Sequence, residues 1–278
     1  MSSALFELLR LNRSVMVALI TGTAAFAAGS GASRALWMTL AGWCLAVGGF
    51  SLDFYADRDI DQEAARLERR RNPLADGSLA PNAGLAFSIT FTVASFVITL
   101  LVSGWSLIPW AITLVVITGL ALHLWETPLG LALTLGLLQG LYVLIGAAAG
   151  RLSWGMGLLA LVFFFAMFGG RGMVDTRDFL RDQATRVQTL PKRYGVKRTA
   201  WFTAVCLFVC YALSLAVYFT GEFGPLYLYL DLAFVGIGTA VAVLFVLRPT
   251  ARLAYILTLV SMMGLGSLIC LAVILGSL

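Results

Sequence analysis

The chain has 278 residues, of which 60% are hydrophobic and only 12% charged, with a formal net charge of +5. Soluble domains of this size carry roughly twice that share of charge, so the composition excludes a water-soluble globular protein. Apolar stretches run unbroken for about 20 residues instead of alternating, which excludes a β-barrel and selects an all-α integral membrane bundle.

The opening segment, MSSALFELLRLNRS, is short and polar and reads as uncleaved. It carries Arg10 and Arg13 ahead of the first predicted span, 14–30. The second span, 36–56, runs into Ser51-Leu52-Asp53-Phe54-Tyr55-Ala56-Asp57-Arg58-Asp59-Ile60-Asp61. Asp53, Asp57 and Asp61 follow an i, i+4, i+8 spacing and so form one column on a helix. Asp59 falls off that column and is expected to face solvent. The following loop holds Arg58, Arg66, Arg69 and then Arg70-Arg71-Asn72-Pro73-Leu74-Ala75-Asp76-Gly77.

Spans three to five are predicted at 83–103, 106–124 and 128–149. The junction His123-Leu124-Trp125-Glu126-Thr127-Pro128 reads as an interfacial aromatic anchor with His123 as its neighbour. Gln139 and Tyr142, inside the fifth span, read as packing residues. Span six, 154–174, contains Phe163-Phe164-Phe165, expected to meet lipid or neighbouring helices. It leads into Arg171-Gly172-Met173-Val174-Asp175-Thr176-Arg177-Asp178-Phe179-Leu180-Arg181-Asp182, whose three aspartates, at i, i+3, i+7, again line one face. Spans seven to nine are predicted at 199–219, 225–247 and 253–276. Asp231, placed near the outer end of the eighth, is expected to snorkel to the interface. Cys44, Cys206, Cys210 and Cys270 all fall inside spans and read as small buried hydrophobes.

With nine spans and a cytoplasmic N-terminus, seventeen of the nineteen Lys and Arg residues lie inside, and only Arg34 and Arg151 lie outside. That bias accounts for the net positive charge. No aromatic-basic repeat points to nucleic acid. The whole chain, 1–278, is read as a single transmembrane domain with cytoplasmic loops at about 53–82 and 171–198.

Ten of the fourteen acidic residues fall in the two segments after spans two and six. Stacked carboxylates repel, and ionisable groups at a membrane boundary are functional candidates by default. Two columns of three carboxylates suit hard divalent cations. Mg²⁺ takes one or two carboxylates per ion and completes its shell with water and substrate phosphate. Six are too many for one closed cage and enough for two or more ions holding a diphosphate, which the nearby arginines also suit. Simple arginine–aspartate pairing at helix ends would explain one such segment, but not two in register on the same side. A divalent-cation transporter would place its acids near the bilayer midplane on broken helices. Here they sit at one face.

These residues resemble the UbiA superfamily of intramembrane prenyltransferases, over essentially the whole chain. That family has nine transmembrane helices, an NDxxDxxxD motif after helix two and a DxxxD-type motif after helix six. In DFYADRDID, Asp57 and Asp61 match the family's later aspartates, Asp53 stands at its Asn, and Phe54 stands at its first Asp. Arg70-Arg71-Asn72-Pro73-Leu74 is similar to the family's basic stretch with the Arg and Asn order changed. Asp175 to Asp182, followed by Thr189-Leu190-Pro191 and Gly195, resembles the DxxDxxxD…TLP…G segment. That version belongs to the branch of chlorophyll synthases, homogentisate prenyltransferases and archaeal ether-lipid prenyltransferases. The junction at His123 departs from the pattern, since many relatives carry a Tyr and a Lys or Arg there.

The resemblance implies Mg²⁺-dependent transfer of a prenyl group from a polyprenyl diphosphate to a hydrophobic aromatic or lipid acceptor within the bilayer. It implies catalytic roles for Asp53, Asp57, Asp61, Asp175, Asp178 and Asp182, with Asp53, Asp57, Asp61, Asp178 and Asp182 as metal ligands. Arg58, Arg70, Arg71, Asn72, Arg171, Arg177 and Lys192 are the expected substrate contacts. Arg58, Arg70 and Arg71 are also the expected counter-charges to Asp53. An intramolecular terpene cyclase of the same superfamily is the alternative outcome.

Overall fold

The structure, a computed structural model, describes residues 2–65, 72–125, 127–182 and 188–278, and all regular elements among them are helices. They are α1 (Ser2–Leu9), α2 (Leu11–Ala27), α3 (Ala32–Ala56), α4 (Arg58–Ala65), α5 (Pro81–Val102), α6 (Leu107–Ala121) and α7 (Pro128–Ala147). Then follow α8 (Trp154–Asp182), α9 (Leu190–Tyr194), α10 (Val196–Tyr218), α11 (Pro225–Leu247), α12 (Ala251–Leu259) and α13 (Gly266–Gly276). A π-helical turn, Val260–Leu265, joins the last two into one rod. Prolines open α5, α7 and α11, where the missing N–H costs no hydrogen bond.

Among the described residues, eight helical segments are long and apolar enough to cross a membrane, so the chain is an integral multi-pass membrane protein. They correspond to predicted spans two to nine. The first predicted span appears as α2, of 17 residues.

The small residues of α2 follow from its place in the bundle. It is packed against α3, α7 and α13, with Ser14, Thr21, Thr23, Ala24 and Ala25 all buried. Thr21, fully buried, lies between two glycines. A Cβ added to Gly42 of α3 would approach the Thr21 side chain to 2.6 Å, and one on Gly146 of α7 would collide with the Thr21 carbonyl oxygen. Small-residue contacts of this kind let helix backbones approach where lipid offers no hydrophobic drive for association.

Side chains tie further helices to neighbouring backbones. Ser88 donates to the Gly48 carbonyl at 2.7 Å, and Ser95 donates to the Ala41 carbonyl at 2.8 Å while accepting from the Trp110 indole at 3.0 Å. Thr203 of α10 donates to the Gly169 carbonyl of α8 at 2.9 Å. Phe164 and Phe168 of α8 stack on each other, and Phe168 meets Phe202 edge-on at 5.0 Å, so the phenylalanine run packs on neighbouring helices. At the opposite end from the acidic segments, Glu222 accepts from the Gly155 amide at 3.1 Å and from the Ser153 hydroxyl, capping α8. The four cysteines are buried and free, as expected of apolar fillers.

Asp231 corrects a sequence expectation. It is fully buried instead of reaching the interface. The α10–α11 contact explains this. Tyr227, one turn earlier, is also fully buried and donates its hydroxyl to the Ser214 carbonyl at 2.9 Å, which turns this face of α11 inward.

The contact at Gly146 is testable by thermal unfolding in detergent. Gly146→Ala forces backbone apart and should destabilise the fold by about 1–3 kcal/mol. Gly157→Ala, where an added Cβ meets nothing within 4 Å, should be neutral or slightly stabilising.

Candidate active site

Both acidic segments begin at the same depth along their helices. Asp53 comes 21 residues after the first residue of α3, and Asp175 comes 21 residues after the first residue of α8. At ~1.5 Å per residue each lies roughly 32 Å from its helix start, close to the ~30 Å hydrocarbon thickness. Both columns therefore emerge where the apolar layer ends. They also emerge at the same end of the bundle. Gly136 packs on Phe164 and Gly140 on Ala160, an antiparallel register that brings Asp175 level with Trp125, at the junction between α6 and α7. That junction carries His123, whose Nε2 lies 3.5 Å from Asp57 Oδ1.

The first column is continuous at the backbone. The Asp57 amide donates to the Asp53 carbonyl and the Asp61 amide to the Asp57 carbonyl, both at 2.8 Å, across the α3–α4 bend. The side chains then diverge in environment. Asp61 is buried and accepts from Asn72 Nδ2 at 2.9 Å. Asn72 also donates to the Phe54 carbonyl at 2.9 Å and accepts from the Leu74 amide at 3.0 Å. Both of its amide hydrogens and its oxygen are thus engaged, and it is itself fully buried. Asn72, expected to contact substrate, ties the column to the loop that returns to α5. Arg58, also expected there, stacks on Tyr55 at 4.9 Å and pairs with Asp59 at 3.3 Å. Asp59 itself is 79% exposed, as its off-column register requires.

Asp53 and Asp57 are met by nitrogens from distant parts of the chain. Arg10 Nη1, at the α1–α2 break, lies 3.3 Å from Asp53 Oδ2. Of the counter-charges expected for Asp53, Arg58 instead pairs with Asp59. Arg70 and Arg71 lie outside the described residues. His123 sits at φ 55° just past α6, its amide bonded to the Leu120 carbonyl and the Leu124 amide bonded to the Gly119 carbonyl, each at 3.0 Å. That left-handed helix cap, a place favoured by Gly or Asn, aims the imidazole back at Asp57. The lone histidine following a span on the acidic side was the available sequence signal.

In the second segment, Asp175 is buried, accepts from the Leu190 amide at 3.1 Å, and lies 2.6 Å from Arg171 Nε. It anchors α9 and its preceding Thr189 to α8. Asp178 is gripped by Arg177 through both oxygens, at 2.8 and 2.7 Å. Lys192 is half-buried on α9. The Asp182 side chain lies outside the described residues. Gln139, in α7, has a buried side-chain oxygen with no hydrogen-bond partner among the described residues, and Tyr142, one turn on, is buried as well.

The carboxylates fall into two groups by exposure. The side chains of Asp53, Asp57 and Asp178 are 31%, 26% and 19% exposed, whereas Asp61 and Asp175 are buried at 4% and 2%. The open three are paired with Arg10, His123 and Arg177. The buried two, Asp61 and Asp175, expected respectively as a metal ligand and as a residue acting on substrate, bond to the Asn72 side chain and the Leu190 amide. No three His, Cys, Asp or Glu side chains converge on a metal position among the described residues. Hard oxygen donors in small, half-open groups still fit Mg²⁺, which needs only one or two carboxylates per ion.

Comparison with known proteins places this arrangement. The profile of the UbiA prenyltransferase family matches residues 15–265. The chain is 29% identical over 232 residues to digeranylgeranylglyceryl phosphate synthase of Natronomonas pharaonis, covering 81% of this chain and 80% of that one. It is 29% identical over 227 residues to protoheme IX farnesyltransferase of Symbiobacterium thermophilum, covering 78% and 74%. Among solved structures, one concerned with digeranylgeranylglyceryl phosphate synthase in membranes superposes with a TM-score of 0.79 at 21% identity, over 99% of this chain and 98% of that one. A UbiA homolog from Archaeoglobus fulgidus bound to DMAPP and Mg²⁺ superposes with a TM-score of 0.68 at 14% identity, over 94% and 97%.

The Asp175 tie can be read directly by hydrogen–deuterium exchange. Asp175→Ala removes the acceptor for the Leu190 amide, a charge-assisted bond worth about 1.5–3 kcal/mol. The Leu190 amide should then exchange roughly tenfold faster or more. Unchanged exchange there would show that α9 is held by other contacts.

Proposed function

The chain belongs to the UbiA prenyltransferase family, and from that membership we propose that it transfers the prenyl group of a polyprenyl diphosphate, with Mg²⁺, to a lipid or aromatic acceptor inside the membrane. The observation that carries the reading is the placement of half-open carboxylates and their nitrogen partners at the level where apolar helix gives way to polar loop. A prenyl diphosphate has the same division, a highly charged head on an apolar tail. The Archaeoglobus homolog bound to DMAPP and Mg²⁺ supports it.

Asp53, Asp57 and Asp178, with Asp182, are the residues that would hold Mg²⁺, which when bound neutralises charge on the departing diphosphate. His123 and Arg177 stand beside these carboxylates and supply positive charge or hydrogen-bond donors to the same anion. Asp61 and Asp175 act indirectly by fixing the Asn72 and Leu190 loops. The carbon–oxygen bond to diphosphate breaks, the allylic carbon bonds to the acceptor, and the acceptor loses its proton. Apolar helices around the tail exclude water, so the acceptor is the nucleophile.

A lipid acceptor is the first reading, supported by the Natronomonas relative and by the ether-lipid-like second motif. An aromatic acceptor is the second, supported by the Symbiobacterium relative. The positive-inside bias supports α2 as a ninth crossing, with the N-terminus and this site cytoplasmic.

Membranes containing the protein, given a panel of labelled prenyl diphosphates with native lipid extract, should form a prenylated lipid identified by mass. A cyclic hydrocarbon or alcohol formed from donor alone would replace transfer by cyclisation. Chelation should abolish turnover and Mg²⁺ restore it. Asp57→Ala should lower kcat by about 10²-fold or more, while Asp59→Ala should stay within about twofold. Equal losses for the two variants would sink the column as the metal-holding element.

A further inference from the structure

Arg10 holds a conformation that an L-residue adopts at a cost. It lies at φ 40°, ψ 51° between α1 and α2, a left-handed geometry that L-residues other than Asn and Asp rarely adopt. Such strain persists only where the surroundings over-determine it, and it concentrates at functional positions. The surroundings here are three residues on the last turns of α3. The Arg10 guanidinium lies 3.9 Å over the Phe54 ring and 5.5 Å from the Phe50 ring. Its Nη1 reaches Asp53 Oδ2 at 3.3 Å. Phe50, Asp53 and Phe54 share one face at i, i+3, i+4, so one planar cation stacks on the rings with its face and meets the carboxylate with its edge. Lysine could do only part of this.

The contact is also fixed by helix register. Thr21 packs against Gly42, and Arg10 lies eleven residues before Thr21 as Asp53 lies eleven after Gly42. In an antiparallel pair these positions face each other. With the Arg10 side chain 13% exposed, the pair is sheltered enough for its charges to matter. Leu8, fully buried against Phe54, Leu74 and Leu79, ties α1 to the same corner.

We propose that Arg10 is a positioning residue for the site: it holds Asp53 and offsets its charge, so that a column of three carboxylates can accept an anionic diphosphate. This rests on the proposed function above for the identity of the anion. A purely structural Arg10 would only pin α1 to Phe54, and its loss would have the same effect whatever residue stood at 53.

The test is a double-mutant cycle of wild type, Arg10→Gln, Asp53→Asn and the double variant in detergent. Calorimetric affinity for inorganic pyrophosphate with Mg²⁺ is measured beside initial rates with prenyl diphosphates. Arg10→Gln should weaken pyrophosphate binding by about tenfold when Asp53 is present, and by less than about threefold when Asn replaces it. Equal weakening in both backgrounds, or none in either, overturns the proposal while wild-type turnover leaves the transferase reading intact. A coupled cycle in a protein that turns over no prenyl diphosphate supports Arg10 and overturns the transferase reading. A wild type that binds no pyrophosphate with Mg²⁺ overturns both. Should Arg10→Gln fail to fold, Arg10→Lys, which keeps the charge and loses the planar stack, takes its place, and any coupling to Asp53 that exceeds about threefold supports the pair.

Discussion

Thr21 lies between Gly42 of α3 and Gly146 of α7, and the registers of these three helices depend on that contact. In water, a hydrophobic interface tolerates some sliding because burial is non-directional. In lipid the driving force is close packing, and a backbone carbonyl pressed against a glycine accepts few other alignments. From this register follow the level of Arg10 against Asp53 and the placement of α7 alongside α2. The α7–α8 register in turn carries Asp175 to the depth of the junction that holds His123.

Placing six aspartates at one end of a membrane bundle raises an electrostatic problem that the fold answers in two ways. Buried carboxylates cost several kcal/mol unless hydrogen-bonded or paired. Asp61 is met by a carboxamide and Asp175 by an arginine and a backbone amide, and each partner also organises a loop. The half-open aspartates take arginine or histidine partners instead. Such contacts near water are weak enough to exchange, which is what the proposed binding of a metal–diphosphate complex would require. The buried group provides rigidity and the open group provides the proposed chemistry.

The same geography separates an enzyme from a transporter. A cation pathway would need ligands at the bilayer midplane, on interrupted helices. The π-helical turn at Val260–Leu265 is one interruption, yet it carries no acidic residue. Asp231 is the one described acid buried within a span away from the acidic end, and its surroundings are the aromatic and small residues of α10 and α11. The charged apparatus belongs to the boundary.

Sequence alone was enough to determine the features that depend on neighbours along the chain. Hydropathy over about 20 residues marks a span whatever packs beside it, so spans two to nine were legible, as were the two aspartate columns and the family resemblance. The first span was legible as an apolar run, but the break at Arg10 that sets where α2 begins was not. Arg10, His123, Asn72 and Leu190 were not legible as partners of the aspartates. The first pair is 43 residues apart and the Asn72 tie spans 11, and each depends on a bend or a helix register instead of a period. Asp231 was misplaced for the same reason: depth along a helix can be counted from the sequence, but which face turns inward is decided by the helix that packs against it.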